Sequence, residues 1–164
     1  MTGKQEAAPP AVIVTTPTDR VLQVERVFDA PRERVFAMFT DPELIPRWWG
    51  PRGVTTVVDR MDVCPGGAWR FVVRHPDGRE NAFRGEFREI TPPELVVQTF
   101  EWEGLPGAIT VDSTRFEDLG ERTRMTVTSV FDAPQDLQAA LASDMERGMN
   151  EMYARLDEAL AKAA

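Results

Sequence analysis

The chain has 164 residues, 42% of them hydrophobic, and its 27 acidic against 19 basic side chains leave a formal net charge of −8. That length suits one domain, able to bury roughly 70% of its unfolded surface without help from a disulfide or a metal. The acidic balance excludes a non-specific grip on nucleic acid or anionic membrane, which needs an excess of Lys and Arg, and the longest unbroken apolar run, Val35–Phe39, is far too short to span a bilayer.

The first eighteen residues mix Ala, Pro, Thr and a few charges, with Pro9-Pro10 and Pro17 as breakers. They are expected to form a flexible tail ahead of a single domain over residues 19–164, with Ala11–Val14 offering at most an edge strand. Met1–Pro10 lacks the apolar stretch and cleavage site of a signal peptide, so a cytoplasmic location is expected. Val21–Phe28 is rich in β-branched residues and predicts a strand. Pro31 then suits the start of a helix, and Val35, Phe36 and Phe39 recur at helical spacing. Asp41-Pro42-Glu43 restarts a second short helix carrying Leu44 and Ile45, which stops near Trp48-Trp49-Gly50-Pro51.

The middle of the chain predicts strands joined by turn chemistry. Gly53–Asp59 comes first, followed by a break at Pro65-Gly66-Gly67. Ala68–His75 and Arg79–Ile90 read as a hairpin about Pro76-Asp77-Gly78. Trp69, Phe71 and Val73 share one face of its first strand; Phe83, Gly85 and Phe87 share one face of the second. Leu95–Trp102, Ala108–Phe116 and Arg122–Phe131 complete an antiparallel meander. Phe-Asp-Ala-Pro occurs at Phe28–Pro31 and again at Phe131–Pro134, each time where a strand gives way to a helix. From Pro134 an apolar stripe runs through Leu137, Leu141, Met145, Met149, Met152, Leu156 and Leu160, predicting a long amphipathic helix. Ser143-Asp144-Met145-Glu146 has capping-box form, so the helix is expected to pause or restart there. Seven strands and one long closing helix make an α+β chain whose sheet must curl around that helix to bury its stripe.

The single Cys64 and single His75 exclude an internal disulfide and a zinc or iron site built on nitrogen and sulfur ligands; no cofactor is expected. Any triad chemistry would have to use His75, which precedes the Pro76-Asp77-Gly78 turn and is expected to be exposed.

Several motifs in order carry a resemblance. Asp41-Pro42, Trp48-Trp49-Gly50-Pro51-Arg52-Gly53, Pro65-Gly66-Gly67-Ala68-Trp69-Arg70-Phe71 and Thr99-Phe100-Glu101-Trp102 resemble the stand-alone bacterial branch of the family named for the activator of Hsp90 ATPase, within the START/Bet v 1-like (SRPBCC) superfamily. The resemblance covers about residues 20–162. It implies a helix-grip fold: a curved antiparallel sheet of about seven strands wrapped around a long C-terminal helix, with two short helices after the first strand. It also implies a cavity between sheet and helix, used across the superfamily for hydrophobic ligands. The activators proper carry a further amino-terminal chaperone-binding domain, for which the residues before Val21 leave no room, so the fold transfers better than the activity. Where the family's long helix commonly has Gly followed by Trp, this chain has Gly148 followed by Met149.

Trp49, Trp69, Phe71, Phe87, Phe100, Met145, Met149 and Met152 are therefore candidates to line that cavity, with plain core packing as the alternative for each. Asp112 is a candidate by a parity argument. If Phe116 faces inward, Thr114, Asp112 and Thr110 do too, and a buried carboxylate needs a reason. If Ile109 and Val111 face inward instead, Asp112 lies in water. Three functions follow: binding of an unidentified hydrophobic small molecule, polyketide cyclase/aromatase-like catalysis, or a chaperone interaction. The absence of a catalytic constellation favours the first, and a homodimer is compatible with the sequence.

Overall fold

Strand β2 (Val21–Phe28) buries every second side chain, Leu22, Val24, Arg26 and Phe28, in the computed structural model, which describes residues 11–162. The same alternation recurs in β4 (Ala68–Arg74), where Trp69, Phe71 and Val73 are buried and their neighbours are not. Period-two burial means one face of the sheet is covered and the other wet. Around these strands lie β1 (Ile13–Thr18), β3 (Thr55–Met61), β5 (Glu80–Thr91), β6 (Leu95–Trp102), β7 (Ile109–Asp118) and β8 (Thr123–Val130). They form one antiparallel, curved sheet in the order β1-β2-β8-β7-β6-β5-β4-β3.

The expected hairpin about Pro76-Asp77-Gly78 is present. The His75 amide donates to the Arg79 carbonyl at 2.8 Å, and β4 pairs with β5 from Ala68–Glu86 to Arg74–Glu80. Strand β1 corrects the expectation of a tail reaching to residue 18. Its pairing with β2 makes an eighth strand, the Val12 side chain is buried, and the Val12 amide donates to Asn150 Oδ1 at 3.0 Å. One buried valine, just ahead of a strand whose own side chains are mostly exposed, is too little apolar surface to outweigh Pro17 in the sequence. Residues 1–10 of the expected tail lie outside the described residues.

Helix α1 (Arg32–Thr40) and a single 3₁₀ turn (Ile45–Arg47) carry the chain from β2 to β3 at the far edge of the sheet. The second short helix is thus reduced to one turn, with Pro42 ahead of it and Pro46 within it, neither of which can donate a backbone hydrogen bond. Helix α1 lies on the inner face of the sheet, where the Phe36 and Phe39 rings meet Phe116 of β7 edge-on at 5.6 and 5.2 Å. The two Phe-Asp-Ala-Pro segments end strands and begin helices, as expected: Pro31 caps α1, and Pro134 opens α2 (Pro134–Ala142).

The C-terminal stripe is divided at Ser143-Asp144, and α3 (Met145–Lys162) follows the break. Leu141, just before the break, is 38% exposed although it continues the periodic stripe. Helix α3 buries Tyr153, Leu156, Ala159 and Leu160, and the Tyr153 ring packs edge-on against Phe28 at 5.8 Å. Burying a leucine such as Leu156 contributes roughly 2 kcal/mol. Polar contacts fix the helix's direction on the sheet. The buried Arg26 guanidinium meets Asp157 at 2.6 Å, and Arg155 donates to the Gly50 and Pro51 carbonyls at 3.0 and 3.1 Å. No helix among the described residues is long and apolar enough to cross a membrane.

Candidate ligand-binding cavity

The inner face of the sheet is longer than the buried part of α3, and the difference leaves a cavity of about 700 Å³. Leu156 and Leu160 fill one end of the grip with side chains. Toward its N-terminus, α3 instead presents Met145, Met149 and Met152, which are half-buried and line the cavity. Facing them are Trp69 and Phe71 on β4, Phe83 and Phe87 on β5, and Phe100 on β6, with Trp49 from the turn before β3. Every side chain proposed from the sequence as a wall residue therefore borders one space.

The rings hold one another in place. Trp49 packs edge-on against Phe71 and Phe83 at 5.1 and 5.2 Å, while Trp69 lies 4.8 Å from Phe71 and 6.0 Å from Phe100. The Trp69 indole N–H donates to the Thr99 carbonyl at 3.2 Å, so its polar atom is satisfied and its apolar body faces inward. Both adjacent tryptophans border the cavity: Trp48 is 1% exposed and donates to the Met38 carbonyl at 2.9 Å, whereas Trp49 is half-buried.

The parity of β7 is settled in favour of its polar residues. Phe116 is buried, and Thr114, Asp112 and Thr110 follow it on the inner face, whereas Ile109 is 40% exposed. The alternative that placed Asp112 in water is thus corrected. Across the sheet, Asp112 pairs with Gln98 of β6 on one side and Ser129 of β8 on the other, and both also line the cavity. One end of the inner face is therefore aromatic, over β4 to β6, and the other carries a polar strip over β6 to β8.

Asp112 lies deep within the fold, and its surface that is not covered by protein atoms faces the cavity. Desolvation pushes its carboxyl up from the ordinary value of 3.8 to about 6, against the opposing pull of hydrogen bonds from Ser129 and Thr110. The Thr110 hydroxyl donates to Asp112 Oδ1 at 2.9 Å. Tyr153, on α3, is raised above its usual range first by burial and then by the negative charge of Asp112, with Arg26 opposing.

Sequence reasoning missed Tyr153, Gln98 and Ser129, and it misplaced His75. Tyr153 was detectable at three residues before Leu156, on the same helical face. Gln98 and Ser129 needed the strand register, which short-range patterns do not contain. His75 is half-buried rather than exposed: it lines the cavity and its Nε2 lies 3.0 Å from Asn81 Nδ2. Cys64 is exposed and lies outside the lining. Among the described residues no group of three His, Cys, Asp or Glu side chains is placed to hold a metal ion.

The cavity meets solvent where its lining residues become exposed: Trp102, Leu105 and Ile109 at 41, 55 and 40%, around the β6–β7 connection. Ala140, Ser143 and Met145, around the α2–α3 break, also belong to the lining. Glu101 braces the β6–β7 connection, accepting from the Gly107 amide at 2.7 Å and pairing with Arg84 at 3.0 Å. These contacts hold its carboxyl below the usual range.

The sequence profile described as activator of Hsp90 ATPase homolog 1-like protein matches residues 29–161. Among solved structures, a protein of Rhodobacter sphaeroides is similar at 25% identity, with 93% of this chain and 99% of that one covered and a TM-score of 0.87. A protein of Arthrobacter aurescens is 27% identical, with 92% and 91% covered and a TM-score of 0.83. DynU16, a protein of the dynemicin biosynthetic locus, shares the fold at 20% identity and a TM-score of 0.63, with 90% of this chain matching 49% of that one. No curated protein sequence matches the chain significantly.

Proposed function

The chain belongs to the activator of Hsp90 ATPase homolog 1-like family, and from that premise we propose that it binds a hydrophobic small molecule in the cavity between its sheet and α3. The observation that carries this reading is the cavity's size and chemistry. At about 700 Å³ it falls in the range of small-molecule sites, whereas ordinary interiors interdigitate and leave few voids larger than a water molecule. Rings supply broad contact at low entropic cost, and the methionines adapt to the shape of an occupant. The exposed, unpaired Cys64 suits a reducing compartment, and we assign the chain to the cytoplasm.

A fluorescence titration with N-phenyl-1-naphthylamine tests the reading. A single saturable site is expected, accompanied by a rise in melting temperature, because a ligand bound only to the folded state stabilises it by mass action. The absence of any saturable signal would reject the cavity as a binding site.

One observation favours catalysis as a second reading. A carboxyl raised to about 6 in an apolar cavity is poised for proton transfer near neutral pH, and DynU16, from a biosynthetic locus, shares the fold. On this reading Asp112 would be a general acid or base for a cyclase-like reaction. Recovery of a bound molecule at unchanged mass after prolonged incubation separates binding from a reaction that changes composition.

A further inference from the structure

The cavity's charge is one-sided. Among the described residues that line it, the only formally charged side chains are carboxylates, Asp112 at the polar strip and Asp136 on α2; no Lys or Arg of that lining borders the space. Arg26 of β2 is paired with Asp157 of α3 at 2.6 Å, and its charge acts on Tyr153. The groups facing Asp112 offer it little relief. Thr110 and Ser129 donate hydroxyls, Gln98 and Thr114 are neutral, and Tyr153 on α3 is a phenol that stays un-ionised. A desolvated carboxylate with only neutral partners favours an occupant that brings positive charge. On the other side of the space, the aromatic walls of β4 to β6 offer ring faces that attract cations and hold flat ring systems.

We propose that the cavity selects a planar aromatic cation, its ring system among Trp69, Phe71 and Phe100 and its protonated nitrogen against the Asp112 carboxylate. This rests on the small-molecule binding reading and adds the class of ligand. An aromatic or fatty carboxylate is rejected, because its anion would face Asp112 with no Lys or Arg in the lining to offset it. Recognition is also pH-dependent. Asp112, raised to about 6, is mostly ionised at pH 7.5 and mostly protonated at pH 5, where it no longer attracts a cation. His75 and Asp136 also border the space, and a variant that retains both isolates the share of Asp112.

Three ligands with one naphthalene body separate charge from shape: (2-naphthyl)methylammonium, 2-naphthylmethanol and 2-naphthoate, titrated calorimetrically beside N-phenyl-1-naphthylamine. At pH 7.5 the ammonium should bind at least tenfold more tightly than the alcohol, and the naphthoate more weakly than either. At pH 5 the ammonium's advantage should shrink several-fold. Asp112→Asn should remove that advantage, bringing the ammonium and the alcohol to within about twofold of each other. Equal or tighter binding of the naphthoate, or an ammonium preference that survives in Asp112→Asn, would overturn the proposal. If N-phenyl-1-naphthylamine binds and the ammonium shows no preference, the charge assignment alone fails. If none of the four binds, the cavity reading fails with it.

Discussion

Gly85→Ala is expected to cost about 3–5 kcal/mol. A Cβ at residue 85 would sit 1.9 Å from the Thr99 carbonyl oxygen and 2.5 Å from Trp69 Nε1. The first is backbone of the neighbouring strand, so relief requires β5 and β6 to separate. The second is the atom whose hydrogen bond to Thr99 orients the Trp69 ring. The same region holds the Glu86 amide to Thr99 Oγ1 at 2.9 Å, and the β5–β6 register shifts just beyond it, between Phe87 and Glu89. A glycine in a strand interior marks such close backbone approach. Urea unfolding provides the measurement, with the midpoint falling and the slope unchanged. Gly148→Ala is the control: nothing lies within 4 Å of its added Cβ, and an alanine within α3 should gain about 0.5–1 kcal/mol. Equal small effects at the two sites would contradict the strand geometry described for β5 and β6.

The second large effect is a dependence on pH that one amide removes. Asp112 titrates at about 6 in the folded protein, against 3.8 ordinarily. Between those values the folded state holds more protons than the unfolded state, so stability from this group is complete below about pH 4. It is lost as pH rises through 6. Two pKa units correspond to at most about 3 kcal/mol, less where water reaches the carboxylate through the cavity. An asparagine side chain in its place cannot ionise and still offers an oxygen to Thr110 and Ser129. Asp112→Asn should therefore match the wild type near pH 4 and exceed it by roughly 2 kcal/mol at pH 7.5. The difference between the two proteins is the quantity to follow, because Glu101, Glu103 and Glu158, all held low by arginine partners or amides, make both less stable in acid. A constant difference from pH 4 to 8 would place Asp112 in bulk water.

Asp112 also shows where sequence reasoning reached its limit. In β4, alternation was decisive because its inner residues, Trp69, Phe71 and Val73, are large apolar groups that bury fully on one face. In β7 the inner face borders the cavity, so Thr110, Asp112 and Thr114 stand where the pattern calls for apolar residues, while Val111 lies outside the lining and Ile109 sits exposed at the cavity mouth. The rule linking hydrophobicity to the inner face fails at this cavity wall, and local consistency breaks where function is to be expected. The α+β plan, the hairpin at residues 76–78 and the methionine stripe were legible because each depends on neighbours within one turn or one strand. Strand β1 and the Gln98–Asp112–Ser129 row depend on pairing between distant segments.

That the space between sheet and α3 is a real binding cavity is tested most directly by titrating N-phenyl-1-naphthylamine into the wild type and Met149→Trp, with the stability of each measured alongside. Met149 borders the cavity from α3, and an indole there would occupy part of its volume of about 700 Å³. Saturable binding to the wild type, weakened tenfold or more in a variant at least as stable, is the predicted result. A variant destabilised by about 1–3 kcal/mol, as overpacking a solid core would produce, together with a wild type that takes up no probe, would contradict it.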